Sequence, residues 1–307
     1  MIGMSRPRSI KANFRRLEKL KVHYKLDFLT IYADLDDLGS LIFPTHYLGA
    51  TKEENEKYDK YFEDYSYALQ EYAILKCSAI VEYGFRNLAI FLIDTIGIDI
   101  YNSHKISKLE INLNDVDKLS DNKITKGMLI SDSLSFGKPF LINIEMSKFL
   151  KLDFHKTLAN LYSIYPEPDP DKEPERWDTY MDFNGLTSLF DATPYAKEFD
   201  EIFEWRNDIA HNARYKNLDS DVLNPWLLDT SLYLQYGTAL VLFYGIFCTN
   251  FKDYNSLAKV DYFRRDVDDA NPITIDEIKE VFELLFGVET EKLIEFIRQQ
   301  QREYRKK

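Results

Sequence analysis

The sequence predicts a mainly α-helical protein, an up-and-down helical bundle with a small β insertion, and three observations predict it. Apolar residues recur at three- and four-residue steps over long stretches, the mark of helices with one buried face. Gly (11) and Pro (10) are scarce in 307 residues, too few for the many tight turns of an all-β chain. Hydrophobic residues make up 45% and aromatics 15%, which supports a substantial core and argues against wholesale disorder.

Taken in order, Ile10, Phe14, Leu17 and Val22 fall near helical spacing with Arg and Lys between them, a short basic amphipathic helix. Residues 25–32 suit a strand, and Pro44 and Gly49 then break the pattern. One long helix is expected from about Asn55 to Ile96, with Gly84 as its interior blemish and Gly97 ending it. Leu109–Leu113 and Leu141–Met146 alternate with period two and are read as strands of an insertion. Phe149 to Tyr165 returns to helical spacing. The run from Tyr165 to Pro174 is acidic and proline-rich and forms an extended loop.

A helix follows from Thr193, a good N-cap, with Pro194 at its first position. An apolar helix is expected from about Pro225 to Asn250. Two more close the chain, Ile275 to Phe286 and Glu289 to about Tyr304. The organisation read from this is a basic arm and mixed segment (1–50), then a helical bundle (51–250), then a C-terminal helical extension with a basic tail (251–307). The bundle carries the β insertion at about 100–147 and the acidic loop at 165–178.

The net charge of −12 excludes nucleic-acid binding through the average surface, so any RNA contact needs a local basic patch. Both termini offer one. Arg6, Arg8, Lys11, Arg15, Arg16, Lys19, Lys21 and Lys25 face a single acid, Glu18, and the chain ends in Arg298, Arg302, Arg305, Lys306 and Lys307. Solvated chain ends are an equally good reading. Cys77 and Cys248 each sit in an apolar run, as core thiols do, and neither forms a disulfide framework or zinc-type spacing. The five histidines are dispersed, so no metal is expected, and no cofactor motif is present. There is no signal-peptide pattern, and the longest apolar run, Thr238 to Cys248, is too short to span a bilayer. A soluble, cytoplasmic protein without membrane partners is expected.

The candidate site lies in Glu201-Ile-Phe-Glu-Trp-Arg206-Asn-Asp-Ile-Ala-His211. On a helix at about 100° per residue, Phe199, Ile202, Phe203, Trp205, Ile209, Ala210 and Ala213 gather on one face. Glu201, Glu204, Asn207, Asp208 and His211 gather on the other. Arg206 breaks the pattern, about 40° from Ile202 and inside the apolar arc. A guanidinium there must be paired or must reach past its apolar neighbours to a cleft. Asn207 and His211 are four apart and stack on the polar face, with Glu204 one turn earlier. An amide and a carboxylate beside an imidazole fix its tautomer and raise its pKa. Histidine to move a proton and arginine to stabilise charge on phosphorus suit phosphodiester cleavage by a neighbouring 2′-hydroxyl. An Arg and a His that merely cap helix carbonyls are the structural alternative.

Arg206-Asn-Asp-Ile-Ala-His211 resembles the signature of the HEPN superfamily: arginine, four to six intervening residues, histidine, in the form with Asn directly after Arg. The resemblance covers about a dozen residues. It implies a helical bundle that dimerises, with two copies of the motif at the seam, and it implies an RNase of toxin–antitoxin, abortive-infection or antiviral defence type. Carried over residue by residue, Arg206 would bind phosphate, Asn207 would position, and His211 would transfer protons. Glu201 resembles an acidic residue found a few positions before the Arg in some members, with Glu204 and Asp208 as further support, while Trp205 stands where such members carry Lys.

Glu82-Tyr-Gly-Phe-Arg86-Asn87 repeats an Arg-Asn pair on the long helix. Members of the superfamily often carry a polar residue there facing the motif, so Glu82 or Arg86 would complete the site; an ordinary i,i+4 ion pair is the plainer reading. The expected function is therefore a metal-independent endoribonuclease acting on RNA as a homodimer, without cofactor, under an inhibitory or activating protein partner. The alternative is a non-catalytic scaffold or RNA-binding partner of the same shape.

Overall fold

The computed structural model of the chain describes residues 51–98, 124–161, 203–210, 220–260, 263 and 274–306. They are mainly α-helical, with no strand among them. Helix α1 (Lys52–Ile90) continues as a π turn, Phe91–Thr95. There follow α2 (Lys126–Ser133), α3 (Pro139–Leu150), α4 (Phe154–Asn160), a helical segment α5 (203–210) and α6 (Ser220–Phe247). A 3-10 turn (Tyr254–Lys259), α7 (Ile275–Phe286) and α8 (Thr290–Tyr304) complete the order.

Local chemistry sets these boundaries. The Thr51 side chain accepts from the Glu54 N–H while the Glu54 carboxylate accepts from Thr51, a capping box that starts α1. Thr274 and Glu277 repeat the device at α7. At the far end of the α1 run, Gly97 adopts φ +79° and the Ile98 N–H reaches back to the Leu92 carbonyl at 2.8 Å. That six-residue closure needs a left-handed residue, which Gly supplies without steric cost.

Two helices form the centre. From Ala73 to Ile93, α1 and its π turn bury one apolar residue after another, and from Tyr233 to Ile246 α6 does the same. From Tyr233 to Ile246, α6 is apolar almost all round, as a helix inside a bundle is, whereas α1 keeps a partly exposed edge that carries Glu82 and Arg86. At their crossing Gly84 faces Leu234, whose Cδ1 would lie 2.7 Å from an added Cβ. The apparent blemish of the long helix is thus a close-approach point. Phe85 packs edge-on to Phe154 at 5.8 Å and tilted to Tyr233 at 5.2 Å, joining α1, α4 and α6. Helix α7 seats Phe282 against Phe243 of α6 and Phe263, so the C-terminal helices share this core.

The β insertion needs correction where it falls on described residues. Leu141–Met146 is helical, within α3. Its alternation coexists with a buried set at Ile142, Met146, Phe149 and Leu150, steps of four, three and one that define a helix face. Pro139 at the first position, where its missing N–H costs nothing, favours the helix. Leu109–Leu113 lies outside the described residues, as do the N-terminal helix, the strand at 25–32, the acidic loop and the Thr193–Pro194 start. The helix expected over Phe149–Tyr165 is also divided. Lys151 takes φ 55° and closes α3, and Asp153 opens α4 by accepting from the Lys156 N–H.

Asn87 is fully buried in α1, and neither atom of its side-chain amide has a hydrogen-bond partner among the described residues. An unsatisfied buried polar group costs about 1–3 kcal/mol. Asn87→Leu, close in volume, is therefore expected to stabilise the fold by an amount in that range. A urea midpoint that rises at unchanged slope would show it; a lower midpoint would mean that the amide contributes to the fold.

His155 Nε2 lies 2.9 Å from the Tyr233 hydroxyl, beneath Phe154. Burial pushes its pKa down from 6.5 to about 4. The unfolded chain then binds the proton more tightly, so stability is complete above about pH 6.5 and is lost as pH falls toward 4. The loss is at most about 3 kcal/mol. Asp94, raised by burial, acts in the opposite sense, so the observable is the difference between wild type and His155→Gln. Urea midpoints measured from pH 7 to 4.5 should converge for the two proteins; parallel curves would contradict the assignment.

Candidate active site

Residues 203–210 form a helical segment as the motif reading requires. Phe203 is buried, and Trp205 and Ile209 pack against the core. Glu204 and Asp208 are exposed, and Asn207 is half-buried. Arg206, the residue that breaks the amphipathic pattern, resolves its conflict by pairing. Its Nη2 lies 3.9 Å from Glu82 Oε2 on α1, and its Nη1 donates to Asn207 Oδ1 at 3.3 Å. Its side chain keeps 35% exposure, so it is held at the protein surface and remains accessible. Glu201 and His211 lie outside the described residues.

Glu82 is shared. Its other oxygen, Oε1, accepts from Arg86 Nη2 at 2.9 Å, one turn along α1. The i,i+4 ion pair forms, and the same carboxylate lies 3.9 Å from Arg206 through its second oxygen. Arg86 is the more buried arginine, at 16% side-chain exposure. Its Nη1 donates to the Ser131 carbonyl and lies 3.8 Å from Asp132 Oδ1. Its guanidinium sits 5.9 Å from the Phe136 ring. The C-terminal end of α2 is a favourable place for a cation, since its last carbonyls carry partial negative charge. Nothing in the sequence around Ser131 and Asp132 marks them as anchors of Arg86; only the packing of α2 on α1 brings them there.

Both cysteines are withdrawn from such chemistry. Burial pushes Cys77 and Cys248 each up to about 12, so neither thiol is a nucleophile near neutral pH. Among the described residues, no group of three or more His, Cys, Asp and Glu side chains could hold a metal ion. No described helix is long and apolar enough to cross a membrane.

In chemical terms the site offers a partly exposed arginine able to clamp an anion, an amide beside it, and an alternating row Asp132, Arg86, Glu82, Arg206 that joins α2, α1 and α5. In comparisons with protein-family models, with curated proteins and with solved structures, the chain has no match.

Proposed function

We propose that the protein is a metal-independent endoribonuclease of a prokaryotic defence or toxin-type system, acting at a composite Arg/His site between two copies of the chain. The observation that carries this reading is Arg206. It sits on a helical segment, directly before Asn207, and is drawn out of an apolar arc to a position where it is paired but accessible. In the proposed reaction His211 takes the proton of a 2′-hydroxyl, whose oxygen bonds to the adjacent phosphorus as the bond to the 5′-oxygen breaks; the protonated His211 returns a proton to that departing oxygen, leaving a 2′,3′-cyclic phosphate and a 5′-hydroxyl. Arg206 stabilises the charge that builds on phosphorus, and Asn207 holds the guanidinium. Each chain supplies one Arg–His pair, so a symmetric dimer would bring two to one cleft.

A second reading has an observation in its favour. The ion pair between Arg206 and Glu82 is also what a non-catalytic bundle would use to secure α5 against α1. RNA cleavage in EDTA, compared between wild type and Arg206→Ala, separates the two, with sedimentation velocity at micromolar concentration reporting the dimer. Cleavage that disappears in the variant supports the enzyme; no cleavage by a folded wild-type dimer supports the scaffold.

A further inference from the structure

The row of four charges is unequal in its spacing. Glu82 is hydrogen-bonded to Arg86 at 2.9 Å, whereas Arg206 stands 3.9 Å off, too far for a hydrogen bond. Arg86 therefore has first claim on the carboxylate. Arg206 is left with one long bond to Asn207 and an electrostatic neighbour, and most of its donor fork has no acceptor among the described residues. A guanidinium held this loosely at 35% exposure has charge to spend on another anion.

We infer that Glu82 is the resident counter-ion of Arg206, a carboxylate that a phosphodiester of a single RNA strand displaces, and that Arg86 is a positioning residue that makes the displacement cheap. The inference rests on the reading of Arg206 as a phosphate-binding group. A phosphate approaching Arg206 meets the negative charge of Glu82. Arg86, tied to the Ser131 carbonyl and near Asp132, holds that carboxylate toward α2 and offsets its repulsion. Without Arg86 both oxygens of Glu82 would be free to close on Arg206 and compete fully with substrate.

Two neighbouring substitutions should thus act with opposite sign. The probe is a labelled, fully 2′-O-methylated RNA oligonucleotide of mixed sequence, which binds but has no 2′-hydroxyl to react. Affinity is measured by fluorescence anisotropy with the full chain at fixed salt. Glu82→Gln removes the competing charge and should tighten binding by roughly two- to fivefold, the worth of one partly exposed ion pair. Arg86→Gln should weaken it by a similar factor. Purely structural roles would leave affinity unmoved, or lower it in both variants. If Arg86→Gln does not fold, Glu82→Gln and Glu82→Ala decide alone, and both must tighten binding; an unchanged or weaker affinity in either overturns the inference. Arg206→Ala keeps the two levels apart. If it binds the probe like wild type, the phosphate-binding reading itself fails. If it loses affinity while the Glu82 variants do not gain, only the counter-ion inference fails.

Discussion

Replacing His211 by alanine is expected to lower RNA cleavage by about 10²–10⁴-fold, the usual worth of one positioned proton-transfer group. Arg206→Ala should cost about 10²–10³-fold through lost stabilisation of charge on phosphorus. The double variant should fall little further, because residues that act as a unit are not additive. Arg206 is partly exposed and its ion pair with Glu82 is long, so its removal should change stability by no more than about 1 kcal/mol. Activity and folding are therefore separable. Single-turnover cleavage measured beside thermal unfolding checks both; a variant that cleaves at the wild-type rate would remove that residue from the site.

The largest effect on stability is expected at Phe85. It is fully buried, lies between Glu82 and Arg86 on α1, and joins the rings of Phe154 and Tyr233. Phe85→Ala should cost about 3–5 kcal/mol, from lost burial together with the cavity left behind. That is a large fraction of the 5–15 kcal/mol typical of whole domains, so the urea midpoint should fall steeply. Phe85→Leu should recover most of the loss. A change below about 1 kcal/mol on Phe85→Ala would mean that the α1–α4–α6 junction is not the centre of the core.

The sequence reveals elements whose signals are local and redundant. Helix α7 runs from Ile275 to Phe286, the span its periodicity marks, because Thr274 and Glu277 cap one end and Gly287 at φ 61° closes the other. The long helix and its Gly97 stop are legible for the same reason. Alternation in Leu141–Met146 misleads because a short apolar segment satisfies both periods, and the choice is made by Ile142 and Met146 packing into the core. Lys151 gives no warning of a helix end, since its left-handed backbone is one that Gly or Asn more commonly adopts.

At the site, the conflict at Arg206 is visible in the sequence because a charge inside an apolar arc is a local contradiction. No periodicity or spacing reveals its resolution, because Glu82 and Arg86 are remote in the chain; only the family resemblance directs attention to them. The link from Arg86 to Ser131 and Asp132 is further still from any pattern, depending on how α2 packs against α1.

The chemistry of the cut ends distinguishes attack by the 2′-hydroxyl from every other route of cleavage. Purified protein is incubated with RNA in excess EDTA, beside the Arg206→Ala/His211→Ala double variant, and the products are examined by mass spectrometry. Attack by the 2′-hydroxyl predicts 2′,3′-cyclic phosphate and 5′-hydroxyl ends with wild type, none with the double variant, and no cut where the 5′-side sugar lacks its 2′-hydroxyl. Ends carrying 5′-phosphate and 3′-hydroxyl, or the same products from the double variant, would contradict it.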